Sequence, residues 1–304
     1  MDNFFQILKL SWDIQEVQNG TNSKYDIKPY FTIKKFNSNQ TERYDLIAGK
    51  EIKFFVSEEQ YCIGYEKSRG EWINCPFNSQ TEQGNLQCDV CEQVDFFSCR
   101  ASCIGMQCYP KTPRAKAICD RKETYLYLTF VGGKYKVGVS LNPLRRWLDQ
   151  GSIYGTVLYK GYGLETRFYE QTIGGTLDLK LSVHTNDKIA FLGEKLPSER
   201  SIKVKFSEYF YQIKKLNLFL SNEEIKINSL LPYYQNIAHL RVKPIIDNKL
   251  IKGKIIGVIG KLLVVQDKNS YYVSNIQALM GKKCSFEKPE NGINYAKQRT
   301  FYDF

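Results

Sequence analysis

Apolar residues alternate with polar ones, or run together, in FFQILKLSWDI (4–14), YFTIKKF (30–36) and KEIKFFVS (50–57). A two-residue period is that of β-strands, and the polar stretches NGTNSKYD and NSNQTERYD between them read as turns. From 122 onward the apolar content rises. ETYLYLTFVGGKYKVGVS (123–140) reads as two strands joined by a Gly132-Gly133 hairpin. Asn142 is then placed as a helix cap, Pro143 as the first helical residue and Gly151 as the stop of the helix LRRWLDQ. A second helix is predicted over 164–173, ending at Gly174-Gly175, followed by strands in TLDLKLSV (176–183) and KIAFLG (188–193). Residues 206–231 read as helical up to Pro232. The Gly-punctuated run 250–287 has the pattern of a small barrel or curled meander, which the N-terminal strands would complete.

These elements predict an α+β protein in five parts: an N-terminal β segment (1–60), a Cys-rich module (61–121), a small mixed-sheet domain (122–200), a helical connector (201–245) and a C-terminal barrel-like segment (246–304). No stretch approaches the ~18 apolar residues that span a membrane. The first residues also lack the basic n-region and the small-residue cleavage site of a secretory signal, so a cytoplasmic protein with no membrane partner is expected.

Residues 57–121 need another source of stability. Between Cys75 and Cys119 the only Ile, Leu and Val residues are Leu86, Val90, Val94, Ile104 and Ile118, too few for a core. Eight of the nine cysteines fall between 62 and 119. With no secretory signal, metal binding is preferred to disulfides, and zinc held by four thiolates supplies on the order of 10 kcal/mol or more. The spacing divides the cysteines into Cys62, Cys75, Cys88, Cys91 and Cys99, Cys103, Cys108, Cys119, predicting two structural Zn²⁺ sites. One zinc with spare thiols, disulfides, or an iron–sulfur cluster are the alternatives. Cys284 stands alone in a predicted strand and reads as a buried apolar thiol. His184 and His239 have no metal-ligand spacing and read as structural or surface histidines.

Charge adds a partner. The chain carries a net +11, but residues 1–110 hold 11 Lys/Arg against 15 Asp/Glu, so the excess lies in 111–304. A basic half favours phosphate-rich partners, because each cation that neutralises a phosphate releases counterions. Nucleic acid is therefore expected, against the alternative of an ordinary solvated surface.

Tyr125-Leu126-Tyr127, the hairpin, Lys136-Val137-Gly138-Val139-Ser140 and Asn142-Pro143-Leu144-Arg145-Arg146-Trp147 together resemble the GIY-YIG domain. Arg146 lies eight residues after Gly138, as the family's helix arginine does, and Glu170, or failing it Glu165, stands where the family has its glutamate. The KVG-x-S-x-NP-x-x-R form is similar to a divergent branch of that superfamily. The whole layout also resembles an uncharacterised, mostly archaeal and actinobacterial family with a Cys-rich segment before this domain and a Gly-rich β segment after it. The resemblance implies phosphodiester chemistry. Tyr127 would act on the attacking water, Arg146 would fork onto the phosphate, and Glu170 would hold a Mg²⁺ ion. Tyr125 replaces the family's glycine and Lys136 its second tyrosine, a position from which a lysine contacts phosphate as well as acting in catalysis. A Mg²⁺-dependent endonuclease and a non-catalytic RNA-binding component of a ribonucleoprotein such as the ribosome both fit, with RNA favoured over DNA. A zinc-knuckle adaptor between proteins accounts for the cysteines but not for the charge.

Overall fold

The computed structural model describes residues 4–19, 22–36, 40–68, 71–96, 113–218, 226–234, 237, 240–245 and 249–287. The chain divides into two compact units, residues 1–97 with 240–304, and residues 98–239.

The first unit begins with β1 (Phe4–Asn19), β2 (Asn22–Lys35), β3 (Thr41–Asp45), β4 (Glu51–Gln60) and the short pair β5 (Tyr65–Ser68) and β6 (Glu71–Ile73), then α1 (Asp89–Val94). β1 and β2 pair without a break in register from Lys9↔Thr32 to Asn19↔Asn22, so most of NGTNSKYD extends the strands.

The second unit follows: α2 (Pro113–Arg121), β7 (Glu123–Val131), β8 (Lys134–Ser140), α3 (Pro143–Gln150), β9 (Ser152–Tyr162), α4 (Glu165–Thr176), α5 (Thr185–Phe191), α6 (Glu199–Lys215) and β10 (Asn228–Ser229). The chain then returns to the first unit with β11 (Val242–Pro244), β12 (Leu250–Ile259), β13 (Leu262–Asp267), β14 (Ser270–Asn275), α7 (Ile276–Leu279) and β15 (Lys282–Ser285).

N- and C-terminal strands interleave in one nine-stranded sheet, ordered β11-β14-β13-β12-β4-β15-β1-β2-β3. The expected barrel does not close: among the described residues no ladder joins β3 to β11. Both edges are built to end a sheet. β3 is short and largely exposed, with Arg43 paired to Asp13 and Asp45, and Glu42 paired to Lys35. β11 has three residues and ends at Pro244. Alternation sets the buried face: Ile251 and Ile255 of β12 point inward while Lys252 and Lys254 point out.

In the second unit the order is β10-β9-β7-β8. β9 was absent from the sequence expectation. It is mostly buried, so it shows little of the alternation that marks a half-exposed strand. KIAFLG is a correction in the other direction: Lys188–Phe191 belongs to helix α5, where Phe191 packs edge-on against Phe130 of β7. A four-residue apolar run fits either period, and packing decided it. TLDLKLSV forms no strand beyond a single bridge between Lys180 and Lys136. The helix expected through 231 ends with α6 at Lys215; residues 219–225 lie outside the described part, and Asn228–Ser229 pairs with β9 instead.

The sheet separates a polar face from an apolar one. Leu126, Leu128 and Phe130 of β7 share the face on which Tyr135, Phe191 and Phe206 meet. Tyr127 and Thr129, opposite Gly138 and Lys136 of β8, share the other. There α3 packs, with Trp147 edge-on to Tyr127 at 6.0 Å between ring centres. α3 forms for local reasons: the Asn142 side chain accepts the Arg145 N–H at 3.0 Å, Pro143 presets the first turn, and Gly151 closes the last with φ 74°. Among the described residues no helix is long and apolar enough to cross a membrane.

Candidate functional site

Four thiols converge in the first unit. Cys62 follows β4, Cys75 follows β6, Cys88 caps α1 and Cys91 sits in its first turn. Their sulfurs all lie within 4.8 Å of one another, and Cys62, Cys75 and Cys91 are buried. None of the four is in a disulfide. Backbone amides aim at the sulfurs: the Gly64 N–H reaches Cys62 at 3.4 Å, and those of Phe77 and Ser79 reach Cys75. Burial alone would raise the Cys75 thiol, but these amides, the Ser79 hydroxyl and the Cys62 thiol outweigh it and bring it down to about 7. Burial pushes the Cys62 thiol up to about 11 and raises Cys91 further. Four such groups can hold one metal ion, and a tetrahedral all-sulfur set is what zinc takes. These are the first four of the eight expected ligands. Of the second group, Cys99, Cys103 and Cys108 lie outside the described residues, and Cys119 is exposed on α2.

Tyr127, Lys136, Arg146 and Glu170 are near neighbours on the polar face of the smaller sheet. Tyr127 is 1% exposed, and its hydroxyl donates to Gln150 Oε1 at 3.3 Å. Burial holds the phenol above its ordinary range, while Arg146, which also bonds to it, and Gln150 pull it back. The Lys136 Nζ donates to the backbone carbonyls of Leu181 and Val137. Glu170, almost fully buried, takes a hydrogen-bonded ion pair from Arg167 at 2.9 Å. The fallback carboxylate Glu165 faces elsewhere and accepts the hydroxyls of Tyr159 and Tyr169, at 3.0 and 2.9 Å.

Arg167 and Gln150 complete this cluster and were not read from the sequence. Each lies one helical turn from a residue that was, Arg167 three before Glu170 and Gln150 four after Arg146, so same-face spacing was the available signal.

Lys136 records the balance of charge. Burial drops its ammonium from 10.5 to about 8; Glu170 pulls it up, and Arg146, Lys188 and Arg167 push it down. Its resonance should therefore titrate near 8 in an NMR titration of the lysine side chains, and Glu170→Gln should move the midpoint lower. The folded value lies below the unfolded one, so the folded state binds fewer protons between about 8 and 10.5. Stability contributed by this group is lowest below that window and rises with pH through it, a slope that Lys136→Met should remove.

Residues 49–284 match the family described as protein of unknown function DUF2797, which is more than half of the chain. The chain belongs to this family. The match to DUF2797 takes in both the four-thiol cluster and the cluster around Lys136. No curated protein and no solved structure matches the chain.

Proposed function

We propose that this DUF2797 chain is a zinc-containing, nucleic-acid-binding protein whose expected partner is RNA, and that its GIY-YIG-like unit grips a backbone phosphate without cutting it. The observation that carries this reading is the set of three cations, Lys136, Arg146 and Arg167, gathered with Tyr127 and Glu170 on one face of the sheet. Arginine forks bond phosphate oxygens in pairs, and Arg146, which bonds to the Tyr127 hydroxyl, is exposed on its helix and so within reach of a ligand.

Two features favour binding over hydrolysis. The Tyr127 phenol lies above its ordinary range, which makes it a poor base at neutral pH. Glu170 is paired to Arg167 and lies close to Lys136, surroundings that suit an anion better than Mg²⁺. The four thiols of Cys62, Cys75, Cys88 and Cys91 would hold a structural zinc; four protein ligands leave no open position for chemistry. The charge excess of the chain beyond residue 110 supplies further phosphate contacts.

Fluorescence anisotropy with labelled RNA and DNA tests this. Binding should weaken steeply between ~50 and ~200 mM salt, and Arg146→Ala and Arg167→Ala should each cost about 1–3 kcal/mol. Absence of binding to any RNA or DNA at low salt overturns the reading. Cleavage in Mg²⁺ or Mn²⁺ that Glu170→Gln abolishes would establish the endonuclease instead.

A further inference from the structure

Lys34 is a lysine in the wrong place for a surface cation. It lies on β2, 2% exposed, opposite Gln6 of β1. No carboxylate pairs with it among the described residues. Its Nζ donates instead to the side-chain oxygen of Asn78. Asn78 belongs to the loop that follows Cys75, with φ 48°, and its own N–H returns to the Cys75 carbonyl. That loop also supplies the Phe77 and Ser79 amides to the Cys75 sulfur. An ammonium buried without an anion ordinarily gives up its proton. Burial does lower the Lys34 ammonium from its ordinary value, and the groups that act in the opposite direction are the sulfurs of Cys75, Cys62 and Cys91.

Four thiolates around a divalent cation carry a net charge of two minus. In a buried site that excess needs a compensating cation, and groups beside the ligands that supply it set metal affinity. We propose that Lys34 is the counter-charge of the four-cysteine metal site, an ammonium brought in from β2 and held against the thiolates by Asn78, and that it determines how tightly the site keeps its ion. The assignment rests on reading the four-cysteine cluster as a metal site. It also ties the metal loops, which have little apolar core of their own, to the nine-stranded sheet, because β2 pairs with β1 along its length and with β3 from Tyr30 to Lys34.

Zn²⁺ affinity of the full chain, measured by competition with a chromophoric chelator, tests it. Lys34→Gln keeps a donor but removes the charge and should weaken zinc on the order of 10–100-fold, the usual cost of losing a group that supports the metal's ligands. Lys34→Arg keeps the charge and should restore most of the affinity. Asn78→Gly suits the left-handed backbone there, leaves the lysine in place and should give an intermediate loss, which keeps the test open if Lys34→Gln does not fold. Co²⁺ substitution should show the same all-thiolate absorption in each variant. Wild-type affinity in Lys34→Gln, or equal losses in Lys34→Gln and Lys34→Arg, overturns the role of Lys34. A wild-type chain whose four cysteines take neither Zn²⁺ nor Co²⁺ brings down the metal reading itself.

Discussion

Cys91→Ser should leave the protein with one metal ion fewer than the wild type and should unfold the segment from β5 to α1. The reason is the composition of that segment's core. Cys62, Cys75 and Cys91 are its buried cluster, and Tyr65 and Cys88 are the partly buried groups packed against it. Val90 and Val94, which might have supplied apolar packing, are 53% and 52% exposed. Thiolate–zinc bonds would therefore hold these loops, and their loss removes on the order of 10 kcal/mol of local folding energy. Metal analysis together with hydrogen exchange over residues 62–96 reads the effect. Cys284→Ser is the control: that thiol is buried in β15, away from the four-sulfur set, and its loss should leave the metal content unchanged. Full metal content and unchanged protection in Cys91→Ser would show that the cluster holds no ion.

Gly138→Ala should cost about 1–3 kcal/mol, the range for overpacking a filled site, and should impair nucleic-acid binding as well. Tyr127 lies directly across the ladder from Gly138, and its ring covers the glycine. A Cβ added there would stand 2.5 Å from the ring's Cζ and 2.9 Å from Cε2. Something has to move, and Trp147 backs the ring from α3. Displacing Tyr127 also pulls its hydroxyl from Gln150 and Arg146. A double-mutant cycle isolates the cause: in a Tyr127→Ala background Gly138→Ala should cost far less, because the space is empty. Equal costs in the two backgrounds would show that the glycine serves its own backbone and not the tyrosine.

The glycine of the KVG string thus has a reason that its motif does not state. The sequence marks Gly138 by resemblance, while the structure shows that the bulk of Tyr127 requires it. Glu170 and Glu165 illustrate the same limit. Both stand on α4, five residues apart, and spacing allowed either to join the cluster. Only the pitch of the helix against the sheet sends Glu170 toward Lys136 and Glu165 toward Tyr159 and Tyr169.

What the sequence determined by itself was local. α3 is written in Asn142, Pro143 and Gly151, because caps and stops act within a turn of the residues they serve. The hairpin of β7 and β8 is written in Gly132-Gly133, and the grouping of Cys62, Cys75, Cys88 and Cys91 in their spacing and in the scarcity of apolar residues around them. Tertiary structure decided whatever depends on partners distant in the chain. β9 was hidden because a strand covered on both faces has little period to read, and Lys188–Phe191 became helix because a short apolar run takes the form its neighbours can pack. The place of β15 between β1 and β4, the open edges at β3 and β11, and the hydrogen bond from Lys34 to Asn78 in the loop after Cys75, 44 residues away, all depend on sheet pairing. Pairing of that kind is set by which faces can be buried together, and burial belongs to the whole fold, not to any stretch of the chain.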